Sequence, residues 1–185
     1  QFGNVVLPGL DNTKNVVSML PSAHMYGLMF ELLYELSVGA HVHFLSRVPS
    51  PKIIMNALAE VKPYIIIAVP LIIEKIYKSK IKPILEKEGI RVLMKLPVLN
   101  QVVLNKIKTE LVNAFGGEFY EVIIGGAAFN KEVEAFFKKM KFPFTVGYGM
   151  TECAPIITYD DWSVEKLYSC GKAAPNMQVR IDSHD

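Results

Sequence analysis

The sequence predicts an α/β protein with three layers (α-β-α), in which helices cover both faces of a mainly parallel, doubly wound sheet, with a short β tail at the C-terminus. Short β-branched runs alternate with segments of helical period, as repeated βαβ units require. Residues 64–69 are apolar on both faces, which is typical of a strand covered by helices on both sides. Glycine-containing and polar loops follow the predicted strands, where such sheets bind ligands.

Two strands and one helix form the first predicted unit. Residues 15–20 and 40–45 are predicted strands, and a helix over 26–37 lies between them. Gly39 ends this helix, because glycine is favoured just beyond a helix.

Two further helices surround the apolar strand at 64–69. Ser50 as N-cap and Pro51 at the first helical position predict the start of the first one. The second starts at Pro70. We expect the following side chains of the two helices to face the core: Ile53, Ile54, Ala57, Leu58 and Val61, then Leu71, Ile72, Ile76 and Tyr77.

The second half of the chain continues the alternation. Residues 78–96 are predicted to be mostly helical, and a long amphipathic helix then ends at Gly116. Its predicted buried residues are Leu99, Val102, Val103, Ile107, Leu111 and Phe115. Strands at 120–124 and 144–146 enclose a helix capped by Asn130, whose core residues are Val133, Phe136, Phe137 and Met140. The core α/β unit therefore covers about 14–152 and the β-rich tail about 153–185.

Composition excludes several functional classes. The 185 residues contain 20 basic and 18 acidic side chains, so no broad basic surface for nucleic acid is expected. Cys153 and Cys170 have no spacing suited to a disulfide framework or a structural zinc site. The longest strongly apolar run, residues 63–73, is too short to span a bilayer. His41 and His43 share a strand face without a third ligand nearby, so they are expected to be surface or packing residues.

The segment 147–152 follows a strand and carries the strongest chemical signal. Glycines at 147 and 149 permit close approach of a ligand, and Tyr148 between them can present its ring to a purine. Thr151 offers a hydroxyl to a phosphate oxygen, and Glu152 is an oxygen ligand suited to Mg²⁺. A tight turn followed by a solvated glutamate is the alternative interpretation.

Two other segments belong to the same predicted edge of the sheet. Residues 123–129 contain Gly125 and Gly126 between a strand and a capped helix, where small residues leave backbone amides open to a ligand. Residues 20–27 place His24 between a strand and a helix. A packing turn and a core histidine are the corresponding structural interpretations.

These segments, in this order, resemble the adenylate-forming acyl-CoA synthetase superfamily of AMP-binding enzymes. Residues 20–24 are similar to its LPLxH segment, 125–127 to GGAP, and 147–152 to GYGxTE. Residues 69–77 resemble the VPRxxEKIY stretch of bacterial long-chain fatty-acid–CoA ligases, and 171–175 the VGKPLPG stretch. The match covers nearly the whole chain.

The resemblance implies a two-step reaction. A carboxylate attacks the α-phosphorus of ATP to give acyl-AMP and pyrophosphate, and the thiol of coenzyme A then displaces AMP. The implied catalytic residues are His24, beside the carboxylate and α-phosphate, Thr151 on phosphate, and Glu152 on Mg²⁺. Tyr148 would stack on adenine.

The remaining implied binding residues are small or apolar. Gly125, Gly126 and Ala127 would line the adenine and acyl pocket. Gly149 and Met150 would form a wall of the acyl tunnel, and Gly147 lies in the same nucleotide-binding loop. We expect Tyr26 and its helix neighbours Met29 and Phe30 to pack in the core rather than line that tunnel.

The chain departs from the family pattern in three ways. The family's phosphate loop would precede residue 1, its ribose-binding Asp and C-terminal lid domain with the catalytic Lys would follow residue 185, and Ala128 replaces the GGAP proline. We therefore expect a central fragment of the large N-terminal domain that is inactive alone and binds ATP weakly or not at all. We expect a cytoplasmic protein, with peripheral membrane association left open.

Two alternatives to a fatty-acyl-CoA ligase stay open. An amino-acid-activating domain of a peptide synthetase would place an Asp near His24 to pair with the substrate ammonium, yet residues 16–30 hold no carboxylate. A non-catalytic α/β binding domain would not need Thr151 or Glu152 for folding.

Overall fold

Five parallel strands form the central sheet. The computed structural model describes residues 7 and 9–182, so residues 183–185 of the predicted tail and the first residues of the predicted domain lie outside it. The strands are Asn15–Ser18 (β1), His41–Phe44 (β2), Ile65–Ala68 (β3), Glu121–Ile124 (β4) and Phe144–Val146 (β5). Their order is β2-β1-β3-β4-β5, and each neighbouring pair is parallel. This order confirms a doubly wound sheet, because the chain winds to one side of β1 and then to the other.

Helices cover both faces of this sheet. One face carries α1 (Met25–Leu28), a π-helical stretch (Met29–Leu33) and α2 (Tyr34–Ser37). The opposite layer is built by α3 (Pro51–Val61), α4 (Pro70–Ile76), a second π-helical stretch (Tyr77–Ile81), α5 (Lys82–Leu85), α6 (Glu88–Leu93), α7 (Pro97–Ala114) and α8 (Lys131–Lys139). The predicted three-layer architecture is therefore confirmed.

Two separate cores match the two faces. Alternate residues of β3 face opposite sides: Ile66 belongs to the larger core, while Ile65 and Ile67 belong to the smaller one. In the smaller core, Tyr26 and Tyr34 pack on the sheet. Strand alternation thus explains why the run at 64–69 is apolar throughout.

The predicted caps form. The Ser50 hydroxyl accepts a hydrogen bond from the Ile53 amide (3.4 Å), and the Asn130 side chain accepts from the amides of Glu132 (3.0 Å) and Val133 (3.2 Å).

Three residues predicted to be buried are exposed instead. Leu71 is 59% exposed, because α4 turns Ile73 toward the core. Leu99 and Val102 are 39% and 60% exposed, because the buried side of α7 begins only at Val103. In both helices the apolar residues outnumber those that one face can bury.

The C-terminal tail forms a small antiparallel sheet of Tyr148–Gly149 (β6), Ile156–Tyr159 (β7) and Lys172–Ala173 (β8). A 3₁₀ turn at Thr151–Cys153 follows β6. Among the described residues, none of the helices has both the length and the apolar character needed to cross a membrane.

Candidate functional site

The loops that follow β1, β4 and β5 meet around one cavity of about 170 Å³. Parallel strands bring these loops to the same edge of the sheet. The predicted site residues that line the cavity are His24, Gly125, Gly126, Gly147, Tyr148, Gly149, Met150 and Thr151. Ala127 and Glu152 are exposed and adjoin lining residues in sequence, but neither is itself part of the cavity wall.

The loop that carries Tyr148 is held on both sides by backbone hydrogen bonds. The Gly147 amide donates to the Ile124 carbonyl (2.9 Å), and the Met150 amide donates to the Pro155 carbonyl (2.8 Å). A Cβ atom on Gly149 would lie 2.1 Å from the Pro155 oxygen, so only glycine permits this close pairing. The Tyr148 ring remains 51% exposed at the cavity edge, where a flat ligand can reach it.

Tyr26 lies in the cavity wall and also in the core. Its hydroxyl donates to the Ile123 carbonyl (3.2 Å), and its ring lies 3.1 Å from where a Cβ of Gly125 would be. Burial raises the pKa of Tyr26 above its usual value. Phe30, whose ring meets that of Tyr26 edge-on at 5.7 Å, also lines the cavity. Both rings pack in the smaller core, as expected, and both also line the cavity, which was not expected.

His24 caps the helical segment that starts at Met25. Its Nδ1 accepts a hydrogen bond from the Tyr26 amide (3.2 Å). A ring nitrogen that accepts carries no proton, so the proton of the neutral ring is on Nε2. His24 is exposed and can donate this N–H to an anionic oxygen in the cavity.

Glu31 is a buried residue that the sequence interpretation missed. One carboxylate oxygen accepts from the amides of Met19 (3.0 Å) and Leu20 (2.7 Å) and from the Ser18 hydroxyl (3.3 Å). These donors form the start of the loop that leads to His24. Burial raises the pKa of Glu31 to about 7 despite these bonds. The sequence carries no clear signal for this burial, because a glutamate in a helix is normally solvated.

Two further buried carboxylates attach the tail to the sheet. Glu121 in β4 accepts from the Tyr159 hydroxyl and from the Trp162 amide (3.1 Å), and burial raises its pKa to about 7. Glu165 accepts from the Val146 amide (3.0 Å), and burial raises its pKa to about 7 as well. Both therefore fix the tail sheet, which carries Tyr148, against the strands β4 and β5.

The rest of the cavity wall is apolar. Among its described lining residues, none has an Asp, Glu, Lys or Arg side chain. Within residues 7 and 9–182, there is also no group of three or more His, Cys, Asp or Glu side chains arranged to hold a metal ion. A single carboxylate such as Glu152 is nevertheless enough for Mg²⁺ when substrate phosphates supply further ligands.

Comparison with known proteins shows the family of the chain. The family model described as "AMP-binding enzyme" matches residues 3–185. The chain is 30% identical over 186 residues to the long-chain-fatty-acid–CoA ligase ACSBG2 of Homo sapiens, a match that covers 88% of this chain and 28% of the relative. It is 29% identical over 182 residues to long-chain-fatty-acid–CoA ligase 1 of Saccharomyces cerevisiae, covering 86% of this chain and 25% of that one. The chain thus spans about a quarter of the length of these relatives.

Solved structures show the same fold at lower identity. A double mutant of o-succinylbenzoate-CoA synthetase from Bacillus subtilis, bound to a product analogue, superposes with a TM-score of 0.69 at 17% identity, over 99% of this chain and 31% of that one. The complex of the same enzyme with ATP and magnesium ion gives a TM-score of 0.66 at 18% identity, over 98% of this chain and 31% of that one.

Proposed function

Because the chain belongs to the family of AMP-binding enzymes, we propose that it is part of a long-chain fatty-acid–CoA ligase. Such an enzyme uses ATP to convert a carboxylate to acyl-AMP and then transfers the acyl group to coenzyme A. Residues 1–185 would belong to the large N-terminal AMP-binding domain, with the core unit at about 14–152 and the β-rich tail at about 153–185. The reaction belongs to the longer protein, whose phosphate loop and lid domain complete the site.

One observation carries this proposal: the three loops that resemble family motifs meet at one cavity. His24, Gly126 and Tyr148 are 22 to 124 residues apart in sequence yet line the same space. If the three loops were only packing turns, they would not need to meet at one cavity.

The chemistry of these side chains suits the joining of two anions. The substrate carboxylate attacks the α-phosphorus, and the bond to pyrophosphate breaks. In this proposal, His24 donates its Nε2–H and Thr151 its hydroxyl to the oxygens that carry the negative charge. Mg²⁺, held by Glu152 and the phosphates, neutralises phosphate charge when bound. Tyr148 positions the adenine by stacking.

The small residues of the loop after β4 leave space for the nucleotide. Gly125 and Gly126 border the cavity, and Ala127 extends the same loop at the surface. Gly149 and Met150 form the opposite wall, next to the acyl group.

The apolar wall favours a fatty acid over an amino acid. An ammonium group in this cavity would lack a carboxylate partner among the described lining residues, and burying it unpaired is costly. The rings of Tyr26 and Phe30 instead offer apolar contact to an uncharged acyl chain. For localisation we propose the cytoplasm, with peripheral contact to a membrane that supplies the fatty acid.

The test is fatty-acid-dependent ATP–pyrophosphate exchange by the full-length protein and its Glu152→Gln variant. We expect a loss of about 100-fold or more, because the variant lacks the charge that holds Mg²⁺. Glu110→Gln, at an exposed position in α7, is the matched control and should exchange normally. The 185-residue chain alone should show no exchange.

Each alternative function has its own outcome in this assay. Unchanged exchange in Glu152→Gln would contradict the assigned role. Absence of exchange in the full-length protein would support a non-catalytic binding domain. Exchange with amino acids but not with fatty acids would favour a peptide synthetase domain.

A further inference from the structure

The turn between α6 and α7 exposes an unusual number of apolar side chains. Its exposed members are Val92 (60%), Leu96 (47%), Val98 (77%), Leu99 (39%) and Val102 (60%). We call these five residues the apolar tip. All five lie within one short stretch of sequence, so they form a local patch rather than scattered surface residues.

The apolar tip is an ordered structure. The Asn100 side-chain amide donates to the Met94 carbonyl (2.9 Å), and the Leu96 amide donates to the Leu93 carbonyl (3.1 Å). On the inner side of the turn, Ile90, Leu93 and Met94 pack against the larger core. The segment is therefore apolar on both sides, which is typical of a helix that is covered on both.

Six exposed basic side chains lie in the same stretch of sequence as the apolar tip, and we call them its basic surround. Residues 78–99 contain six basic and two acidic side chains, a net charge of +4, although the whole chain carries only +2. The rest of the chain therefore has a net charge of −2. All six basic residues are exposed: Lys78, Lys80, Lys82, Lys87, Arg91 and Lys95. The net positive charge of the chain is thus concentrated in the same stretch of sequence as its exposed apolar residues.

This combination identifies the chemistry of the partner. A second copy of the chain would bring one positive surface against another across a symmetric interface, which is unfavourable. A surface of anionic lipid matches both features, because apolar side chains enter the acyl boundary while Lys and Arg contact the headgroups. We propose that the apolar tip and its basic surround bind the chain to anionic membranes. This inference deepens the peripheral association proposed above by assigning it to a surface.

The test is co-sedimentation of the full-length protein with vesicles of phosphatidylcholine, with or without phosphatidylserine. We expect preferential binding to the vesicles that contain phosphatidylserine, and weaker binding as salt concentration rises. Two double variants probe the surface: Val98→Asp with Leu99→Asp, and Arg91→Glu with Lys95→Glu. Each should lower the partition coefficient by about tenfold or more.

Two control variants change exposed residues of the same kind outside this surface. Val48→Asp changes a valine that is 83% exposed outside the apolar tip, and Lys52→Glu with Lys139→Glu reverses two exposed lysines outside the basic surround. The valine control should bind as the unmodified protein does, and the lysine control should lose clearly less binding than the tip variants.

Three results would overturn the inference. The first is that the tip variants bind vesicles as the unmodified protein does, and the second is that each control loses as much binding as its tip variant. The third is that the tip variants retain vesicle binding while their sedimentation coefficient changes, which would assign the surface to a protein contact. ATP–pyrophosphate exchange with a soluble acid and no lipid should be normal in every tip variant, so failure here is distinguishable from failure of the ligase proposal.

Discussion

Glu31 and Glu35 offer a matched test of what buried carboxyl groups do in this fold. They lie four residues apart on one helical segment, and both are fully buried. Glu31 accepts three hydrogen bonds from the end of β1 and the loop after it. Neither carboxylate oxygen of Glu35 has a hydrogen-bond partner within the described part of the chain. The substitutions Glu31→Leu and Glu35→Leu are therefore expected to have different effects.

The magnitudes follow from what each substitution leaves behind. Glu31→Leu leaves the amides of Met19 and Leu20 buried without an acceptor, at about 1–3 kcal/mol each, so we expect a loss of about 2–6 kcal/mol in the free energy of unfolding. Glu35→Leu leaves no donor or acceptor unpaired. It should be neutral or stabilising by about 1–3 kcal/mol, because it removes a poorly solvated carboxyl group from an apolar site.

The two groups also make stability depend on pH. Burial raises the pKa of Glu31 to about 7 and that of Glu35 to about 8, from 4.5. A carboxyl group with a raised pKa stabilises the folded state fully below about pH 4.5, and this contribution is lost as pH rises through 7 and 8. For Glu35 the loss is on the order of a few kcal/mol by about pH 9. Glu35→Leu should remove this pH-dependent loss. The free energy of unfolding of the variant should therefore fall less than that of the unmodified chain between about pH 5.5 and 8.5.

The assay is urea unfolding of the 185-residue chain and both variants, followed by far-ultraviolet circular dichroism at a mildly acidic and a mildly alkaline pH. Glu31→Gln serves as the conservative variant, because its amide oxygen can still accept from Met19 and Leu20, and it should recover most of the loss. Equal destabilisation by Glu31→Leu and Glu35→Leu would refute the reasoning, since burial alone would then decide the cost. An unchanged pH dependence in Glu35→Leu would refute the assignment of the titration.

Two further predictions concern the cavity wall. Gly149→Ala should abolish fatty-acid-dependent exchange in the full-length protein and lower the thermal midpoint of the domain, because the added Cβ would lie 2.1 Å from the Pro155 oxygen, whereas in Gly147→Ala the nearest atom would be 3.5 Å away. Gly147→Ala is therefore the control for the thermal midpoint, and an equal fall of the midpoint in both variants would contradict the steric argument. Tyr26→Phe removes the hydrogen bond to the Ile123 carbonyl but keeps the ring, so it should destabilise the chain by about 1 kcal/mol in urea unfolding. A change below about 0.3 kcal/mol would show that this hydroxyl contributes little.

Most of the fold was predictable because its strands are short apolar runs with clear boundaries. The strand at Ile65–Ala68 is buried throughout, and the caps Ser50 and Asn130 are where local chemistry places them. Convergence of the loops after β1 and β4 was also predictable, since parallel strands end at one edge. The loop that carries Tyr148 follows β5, which is parallel to its neighbour β4, so it ends at the same edge.

The missed features depend on long-range contacts. A glutamate in a helix normally indicates a solvated position, so the sequence pattern does not reveal that Glu31 is buried by a strand about 12 residues away. The Tyr26 hydroxyl reaches a carbonyl 97 residues away in sequence. For Leu71 the error is one of helical phase, since α4 has adjacent apolar residues and only packing decides which of them faces the sheet.

The missed carboxylates share a role: each accepts hydrogen bonds that hold a loop or the tail against the sheet. Glu31 holds the loop after β1, Glu121 holds β7 through Tyr159, and Glu165 holds the end of β5. Glu31 and Glu165 act at the carboxyl edge of the sheet, at the ends of β1 and β5, whereas Glu121 lies at the amino end of β4 and holds the tail from there. Hydrogen bonds to a buried carboxylate have defined directions, whereas apolar packing tolerates small shifts. The cavity therefore depends on groups whose burial costs stability, and this cost is the reason to expect that stability falls with rising pH while the site geometry depends on the same side chains.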